Sequence, residues 1–257
     1  MATVSLPGAS ASGRLWRRAA LFALLLAIAA VALLALGPIG WHAGWWHFRV
    51  AFFSLMPWAA YSGLAAMAVA ILAVLFGRRS LRGWPIAAAA MAFAVGAAIA
   101  YVPWHYNQLR GSGPNDITTD LDNPPPFAAV LAQRKADNSQ NNGEYKGAKA
   151  VELQRRNYPD IAPVTLDLPP PAAFDRALAT AQRLGWALVE TDKEAGRVEA
   201  SEKSRWFGFT DDVVVRVAPA GAGSRIDVRS SSRVGTGDFG VNAARVRRYL
   251  TALKSGA

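Results

Sequence analysis

The sequence predicts an α+β protein in which three N-terminal transmembrane helices are followed by an antiparallel β-sheet domain packed by two helices. Three uncharged apolar runs lie within the first ~105 residues. Acidic residues first occur at Asp116, where the composition changes. Beyond residue 174, a helical pattern is followed by four strand patterns, joined by turns of hairpin length, and then by a second helical pattern. We therefore divide the chain into a transmembrane module, residues 1–105, and an exported α+β domain, residues 106–257.

The apolar runs cover residues 19–36, 57–76 and 84–102. Each is close to the ~20 residues with which a helix crosses a hydrocarbon core. A helix satisfies its own backbone hydrogen bonds, as a single segment in lipid must. The start of the second run is open, because apolar residues continue upstream of Pro57. A cleaved signal peptide is the alternative for the first run, but the run is long, no A-x-A site follows it, and two more spans come next.

The arginines predict the orientation of these spans. Three precede the first span and three lie between the second and third, whereas the loop between the first and second holds only Arg49. The positive-inside rule then places the N-terminus in the cytoplasm and everything after the third span outside it. We predict a bacterial inner (plasma) membrane protein with a periplasmic C-terminal domain.

The distribution of charge also bears on partners. The net charge is +10, yet eight of the 28 basic residues and none of the 18 acidic ones fall in the first 110 residues. The remainder carries 20 basic against 18 acidic residues, so we predict a lipid bilayer partner and no nucleic acid. The absence of cysteine excludes disulfides, thiolate metal sites and cysteine nucleophiles.

All three histidines are expected at the outer membrane interface: His42, His47 and His105. Imidazoles gathered there could ligate haem or a metal, or exchange protons with a quinone. The alternative is that histidine, like tryptophan, is amphipathic and stable at headgroup depth. We predict neither a cofactor nor a metal.

The exported domain begins with extended, proline-rich sequence and a polar segment, 133–149, predicted to be a surface loop or insert. A short strand is possible at 164–168. We predict strands at 186–191, 197–202, 213–217 and 224–231, and helices at 174–184 and 238–254. In the last helix Arg245, Arg247 and Arg248 are expected to face outward or sideways.

A candidate ligand site combines two segments, an aromatic connection between strands and an Arg/Ser/Gly-rich approach to the last helix. Its residues are Arg205, Trp206, Phe209, Asp211, Asp212, Arg229, Ser230, Arg233, Asp238 and Asn242. Backbone N–H groups at a helix start and nearby arginines favour an anion.

A structural role is the alternative for the same residues. Asp238 would occupy the helix N-terminus as its cap. Asp211 and Asp212 would pair with Arg216, Arg229 or Arg205 across strands. The aromatic residues would close the core.

Catalysis is the third hypothesis. Asp211 and Asp212 would act as acid and base, with Ser230 or Ser232 as nucleophile. The exported domain contains no histidine, which excludes a Ser-His-Asp triad within it. No phosphate-binding loop or H-E-x-x-H motif occurs, so the sequence favours a non-enzymatic protein.

Six segments of the exported domain carry a resemblance to a known family. They are residues 115–120 (Asn-Asp-Ile-Thr-Thr-Asp), 124–127, 158–163 (Tyr-Pro-Asp-Ile-Ala-Pro), 206–212 (Trp-Phe-Gly-Phe-Thr-Asp-Asp), 227–235 and 238–245. This pattern resembles a bacterial family known as domain of unknown function 1499. A three-helix N-terminal module occurs in some members, whereas a cysteine motif of others is missing here. The resemblance implies membership and no particular chemistry.

The sequence thus leads to a membrane-anchored, non-enzymatic periplasmic module that binds a small anionic ligand, an anionic lipid headgroup or a protein partner. The alternative is an accessory subunit of a larger membrane protein complex, whose Ala/Gly-rich spans pack against neighbouring helices through small residues.

Overall fold

The computed structural model describes residues 11–79, 81–109 and 114–256. The chain divides into two compact units, Met1–Asn107 and Gln108–Ala257. In the described residues the first unit is helical and the second is a mixed α+β domain, which confirms the predicted fold class.

Three helices of the first unit are long and apolar enough to cross a membrane: α1 (Ala11–His42), α2 (Phe48–Gly77) and α3 (Trp84–Leu109). Helix α2 begins upstream of the predicted start, and its first turns include a π-helical turn at Ala51–Leu55. Pro57 explains the π-helical turn, because it has no N–H and its ring would clash with the carbonyl of Phe53 in a regular helix. A wider turn directly before a proline relieves that clash.

Small residues form the contacts within this bundle. Buried alanines of the three helices pack together: Ala20, Ala23, Ala27, Ala66, Ala70, Ala73, Ala89 and Ala92. Helices α2 and α3 approach each other closely at Gly63 and Gly96, where a Cβ added to Gly96 would lie 2.4 Å from the Gly63 carbonyl oxygen. Lipid tails are as apolar as leucine, so close backbone packing of small residues drives helix association in a bilayer.

The second unit is built on a six-stranded antiparallel sheet. Its strands are β1 (Asp116–Thr118), β2 (Val164–Leu166), β3 (Ala187–Asp192), β4 (Arg197–Lys203), β5 (Thr210–Ala220) and β6 (Gly223–Ser232). The order is β1-β6-β5-β4-β3, and β2 pairs with a second stretch of the β6 edge. Sequence analysis predicted β3 to β6 and the possibility of β2; β1, described as extended, pairs with β6 through its three residues.

One face of this sheet carries the main hydrophobic core. Helices α6 (Pro170–Arg183) and α7 (Val241–Ser255) cover it, as predicted. Their buried Phe174, Tyr249 and Leu253 pack on strand residues such as Val213 and Val215. Helix α7 starts three residues later than expected, because Asp238 lies in the turn before it.

The opposite face is covered by a helix that extends into the segment predicted to be a loop. Helix α4 (Ala129–Ala136) and helix α5 (Ala148–Asn157) extend into both ends of residues 133–149, which leaves 137–147 irregular. Buried Glu199 of β4 accepts hydrogen bonds from the amides of Ala128 and Val130, at 2.8 and 3.0 Å, and so satisfies the start of α4. Hydrophobic periodicity does not reveal a helix of such polar composition. The carboxylate that satisfies its start comes from a distant strand, so no local pattern indicates it either.

We expect Gly96→Leu to destabilise the helical unit, because the added side chain would overlap the α2 backbone at Gly63. Overpacking of this kind destabilises by about 1–3 kcal/mol. The control is Ala94→Leu, which enlarges an outward-facing residue of the same helix. Thermal unfolding in mild detergent measures both, and equal melting temperatures would contradict the packing described here.

Candidate functional site

The two neighbouring carboxylates of the predicted site lie on opposite faces of the sheet. Asp211 is paired with Glu202 and Ser232, whereas Asp212 is paired with Ser201 and Ser231. Successive side chains of a strand point to opposite faces, so the sheet itself separates the two carboxylates. The ten predicted residues therefore divide into one group on each face and a third group in a loop.

On the α7 face, Asp211 is bound by a buried arginine of the last helix. Arg245 donates from Nη2 to Asp211 at 2.7 Å and from Nη1 to the Ser230 hydroxyl at 3.0 Å, and its Nε contacts Glu202. Asn242 also accepts from Arg245, at 2.5 Å. Arg245 is only 3% exposed and therefore faces inward, contrary to the expectation that it faces outward or sideways. The carboxylates of Asp211 and Glu202 provide the partners that make its burial possible.

The start of helix α7 is occupied by the protein's own carboxylate. Asp238 accepts hydrogen bonds from the amides of Gly240 at 2.9 Å and Asn242 at 2.6 Å. Burial raises the pKa of Asp238 above its usual range, and these two hydrogen bonds only partly oppose that effect. An anion at this helix start would compete with Asp238 for the same donors.

On the α4 face, two arginines converge on Asp212. Arg134 donates from Nε at 2.6 Å, and Arg233 donates from Nη2 at 2.8 Å and from Nε at 3.0 Å. The Ser201 hydroxyl donates a further bond at 2.6 Å. Asp212 is 0% exposed and Arg134 is 2% exposed. Burial lowers the pKa of Arg134, an effect that the charge of Asp212 opposes.

Arg233 also contacts Asp137 and the side-chain oxygen of Gln133. The Asp212 cluster thus includes a second carboxylate, which comes from the end of α4. The Arg233 guanidinium is bonded to groups of the α4 region and of β5.

Arg229 lies on the same face and pairs with Asp116 of β1. Two parallel hydrogen bonds join them, at 2.9 and 2.7 Å, and both side chains are buried. The guanidinium lies between the rings of Phe127, at 4.6 Å, and Tyr145, at 5.2 Å. Burial, assisted by the charge of Asp116, raises the pKa of Tyr145 to about 12. Gly143 accepts a further bond from Arg229, at 2.8 Å.

The pairs expected across strands are therefore different in the structure. Asp211 pairs with Arg245 and Asp212 with Arg134 and Arg233. Arg216 pairs instead with Asp120 and Asp227.

The third group lies in the loop between β4 and β5, residues 204–209. Trp206 is 74% exposed, whereas Phe207 is 7% exposed. Phe207 stacks on Phe209 with ring centroids 5.3 Å apart. Arg205 is exposed beside Trp206. Of the predicted site residues, Arg205 and Trp206 are the two that are exposed.

His47 has a local structural role. The Nδ1 atom of His47 accepts a hydrogen bond from the Arg49 amide at 3.3 Å, which caps the start of α2. Its ring packs against Phe48, with centroids 4.2 Å apart, and against Trp41. The side chain of His105 lies outside the described residues. Among the described residues, no three His, Asp or Glu side chains are grouped as metal ligands would be.

Sequence analysis missed three of the charged residues that organise these clusters: Arg134, Arg245 and Asp116. Arg245 follows Asn242 by three positions, so helical spacing placed both on one face and could have indicated it. Arg134 belongs to the segment predicted to be a loop, and no local pattern points to its partner.

We expect Asp212→Asn to lower the free energy of unfolding of the domain by about 3–5 kcal/mol, because it leaves buried Arg134 without its carboxylate partner and removes one of the two carboxylates that Arg233 contacts. The control is Asp175→Asn, which removes the exposed pair with Lys193 at 2.6 Å. An exposed pair contributes about 0–1 kcal/mol.

Urea unfolding of the full-length protein in detergent would measure both variants. A loss in Asp212→Asn no larger than that in Asp175→Asn would contradict the organising role of the cluster.

Comparison with known proteins bears on the domain. No curated protein matches the sequence. A family model described as "Protein of unknown function (DUF1499)" matches residues 116–253, which is more than half of the chain. The match begins at the first residue of β1 and ends in α7, so it contains the whole sheet and both ion clusters. The chain belongs to the DUF1499 family.

Proposed function

We propose that the protein is a membrane-anchored, non-enzymatic binding module of the bacterial inner membrane, whose domain lies in the periplasm and binds an anionic group. The observation that carries this proposal is the division of the charged residues. Four charged residues of the predicted site are buried and form salt bridges within the domain: Asp211, Asp212, Arg229 and Arg233. In contrast, Arg205 and Trp206 are exposed.

The state of the carboxylates supports a non-catalytic role. A general acid or base must reach the proton that it transfers. Asp212 accepts bonds from Arg134, Arg233 and Ser201, and it is 0% exposed. Asp211 is 5% exposed and held by Arg245. A substrate would have to displace these partners before either carboxylate could act.

The state of the arginines supports an anionic ligand at the loop. Arg229 and Arg233 each have a buried carboxylate partner, so an external anion would compete with Asp116 or Asp212. Lys203 and Arg205 are exposed, and within the described part of the chain neither forms a salt bridge. An anionic lipid headgroup or a small anion matches such cations.

The membrane location and the orientation are supported by the three apolar helices and by the placement of the arginines. The chain has no cysteine, so a single introduced cysteine can be labelled without a background. We expect Ser255→Cys to react with a membrane-impermeant maleimide in intact cells with a permeabilised outer membrane. Ser12→Cys should react only after the inner membrane is opened.

Both substitutions exchange one small exposed side chain for another and leave every arginine in place. The opposite labelling pattern would reverse the orientation. Labelling of both sites in intact cells would contradict an odd number of crossings.

Native mass spectrometry of the full-length protein, extracted from its own membranes in mild detergent, tests the binding itself. We expect a retained anionic lipid or small anion at a defined stoichiometry. A stoichiometric protein partner without such a ligand would favour the accessory-subunit hypothesis. A bare monomer would contradict both.

A further inference from the structure

We propose that the β4–β5 loop, together with Lys203, is a contact surface for anionic lipid headgroups of the bilayer to which the protein is anchored. The surface, called the lipid loop below, consists of residues 203–209. The inference deepens the proposed function, on which it rests, by naming the site and the class of partner.

The lipid loop is a built element. The Ser204 amide donates to the Phe209 carbonyl at 2.8 Å, and the Phe209 amide donates to the Ser204 hydroxyl at 3.0 Å. The Gly208 amide donates to the Ser204 carbonyl at 2.9 Å, and Gly208 has a φ of +64°, which favours glycine. Because its backbone is bonded to itself, the loop loses little conformational entropy on contact with a surface.

Its aromatic residues divide into an anchor and a tip. Phe207 is buried and stacks on Phe209, with an angle of 13° between the ring planes. Trp206, in the same segment, is 74% exposed. The described second unit exposes few large apolar side chains, and the others, Leu131, Leu188 and Val241, are 38–46% exposed. Tryptophan favours the membrane–water interface, where its ring is apolar and its N–H meets polar headgroups.

The charges around the lipid loop leave a local positive excess. Glu202 is bound by Arg245 and Arg248, and Asp211 by Arg245. The nearby carboxylates are thus compensated by arginines of α7. Lys203 and Arg205 remain as exposed cations that flank Trp206 closely in sequence. Each cation near an anionic membrane surface strengthens binding about fivefold.

The attachment of the domain to helix α3 keeps a weak contact between the lipid loop and the bilayer effective. Residues 110–115 separate Leu109, the last residue of α3, from Asp116, the first of β1. At about 3.5 Å per residue, such a stretch reaches roughly 25 Å at most. A tether of this length makes surface contact an intramolecular event with an effective concentration in the millimolar range. One tryptophan and two cations then suffice without a deep pocket.

The test uses the full-length protein in nanodiscs of phosphatidylcholine with or without phosphatidylglycerol brominated near the top of its acyl chains. The emission of Trp206 is obtained by subtracting the spectrum of Trp206→Phe from that of the wild type in the same lipid. We expect this difference emission to shift to the blue and to be quenched as the anionic lipid content rises. In phosphatidylcholine alone it should stay at the wavelength of exposed tryptophan.

Two double variants separate local from general electrostatics. Lys203→Gln with Arg205→Gln should lower the equilibrium constant of loop contact about 25-fold, at about fivefold for each cation. Arg155→Gln with Arg156→Gln removes the same charge from exposed positions of α5 and should leave the quenching unchanged. Raising the salt concentration should weaken the contact of the wild type.

Three outcomes would overturn the proposal. The first is a Trp206 emission that does not depend on the anionic lipid. The second is an equal loss of quenching in both double variants. The third is the same blue shift on adding inorganic phosphate to phosphatidylcholine nanodiscs, which would assign the loop to a free anion. If native mass spectrometry finds a bound anion that the loop variants retain, the proposed function stands and only this location is wrong.

Discussion

The domain depends above all on the pairing of Asp212 with Arg134 and Arg233. This cluster joins the middle of the sheet to helix α4 and to the end of β6. Buried ions are stable only when every charge has a partner, since the desolvation of an unpaired ion costs several kcal/mol. The same requirement explains why Arg134 also donates to carbonyls of Asn141 and Ser231, at 3.0 and 2.8 Å. The irregular segment 137–147 is held to the sheet by these donors.

A second cluster performs the same task on the other face. Arg245 lies among Asp211, Glu202 and Ser230, and so fixes helix α7 against β4, β5 and β6. Because side chains alternate along β5, consecutive aspartates supply one carboxylate to each cluster. The two consecutive aspartates therefore belong to separate ion clusters, one on each face of the sheet. The apolar core between α6, α7 and the sheet is continuous beside the second cluster.

The charged residues of the predicted site divide into a buried and an exposed group. Arg229 and Arg233, which were expected to bind an anionic ligand, are buried, and their partners come from strands, loops and α4. The cations that remain exposed near the aromatic residues are Lys203 and Arg205. A rigid loop with a tryptophan at its tip is better suited to a surface than to a small ligand, because it has no enclosing walls. In the proposed function, the three apolar helices and the loop have the same partner, the bilayer.

The sequence by itself determined the elements whose pattern is local. Apolar runs of about 20 residues specify helices that are long and apolar enough to cross a bilayer, and alternation with turn residues specified β3 to β6. It did not indicate α4, whose start is satisfied by Glu199 of β4, nor the inward direction of Arg245. Only the tertiary structure decided which arginine meets which aspartate. The physical reason is that the free energy of a buried charge depends on partners tens of residues away, such as Asp116 and Arg229, and no local pattern records that separation.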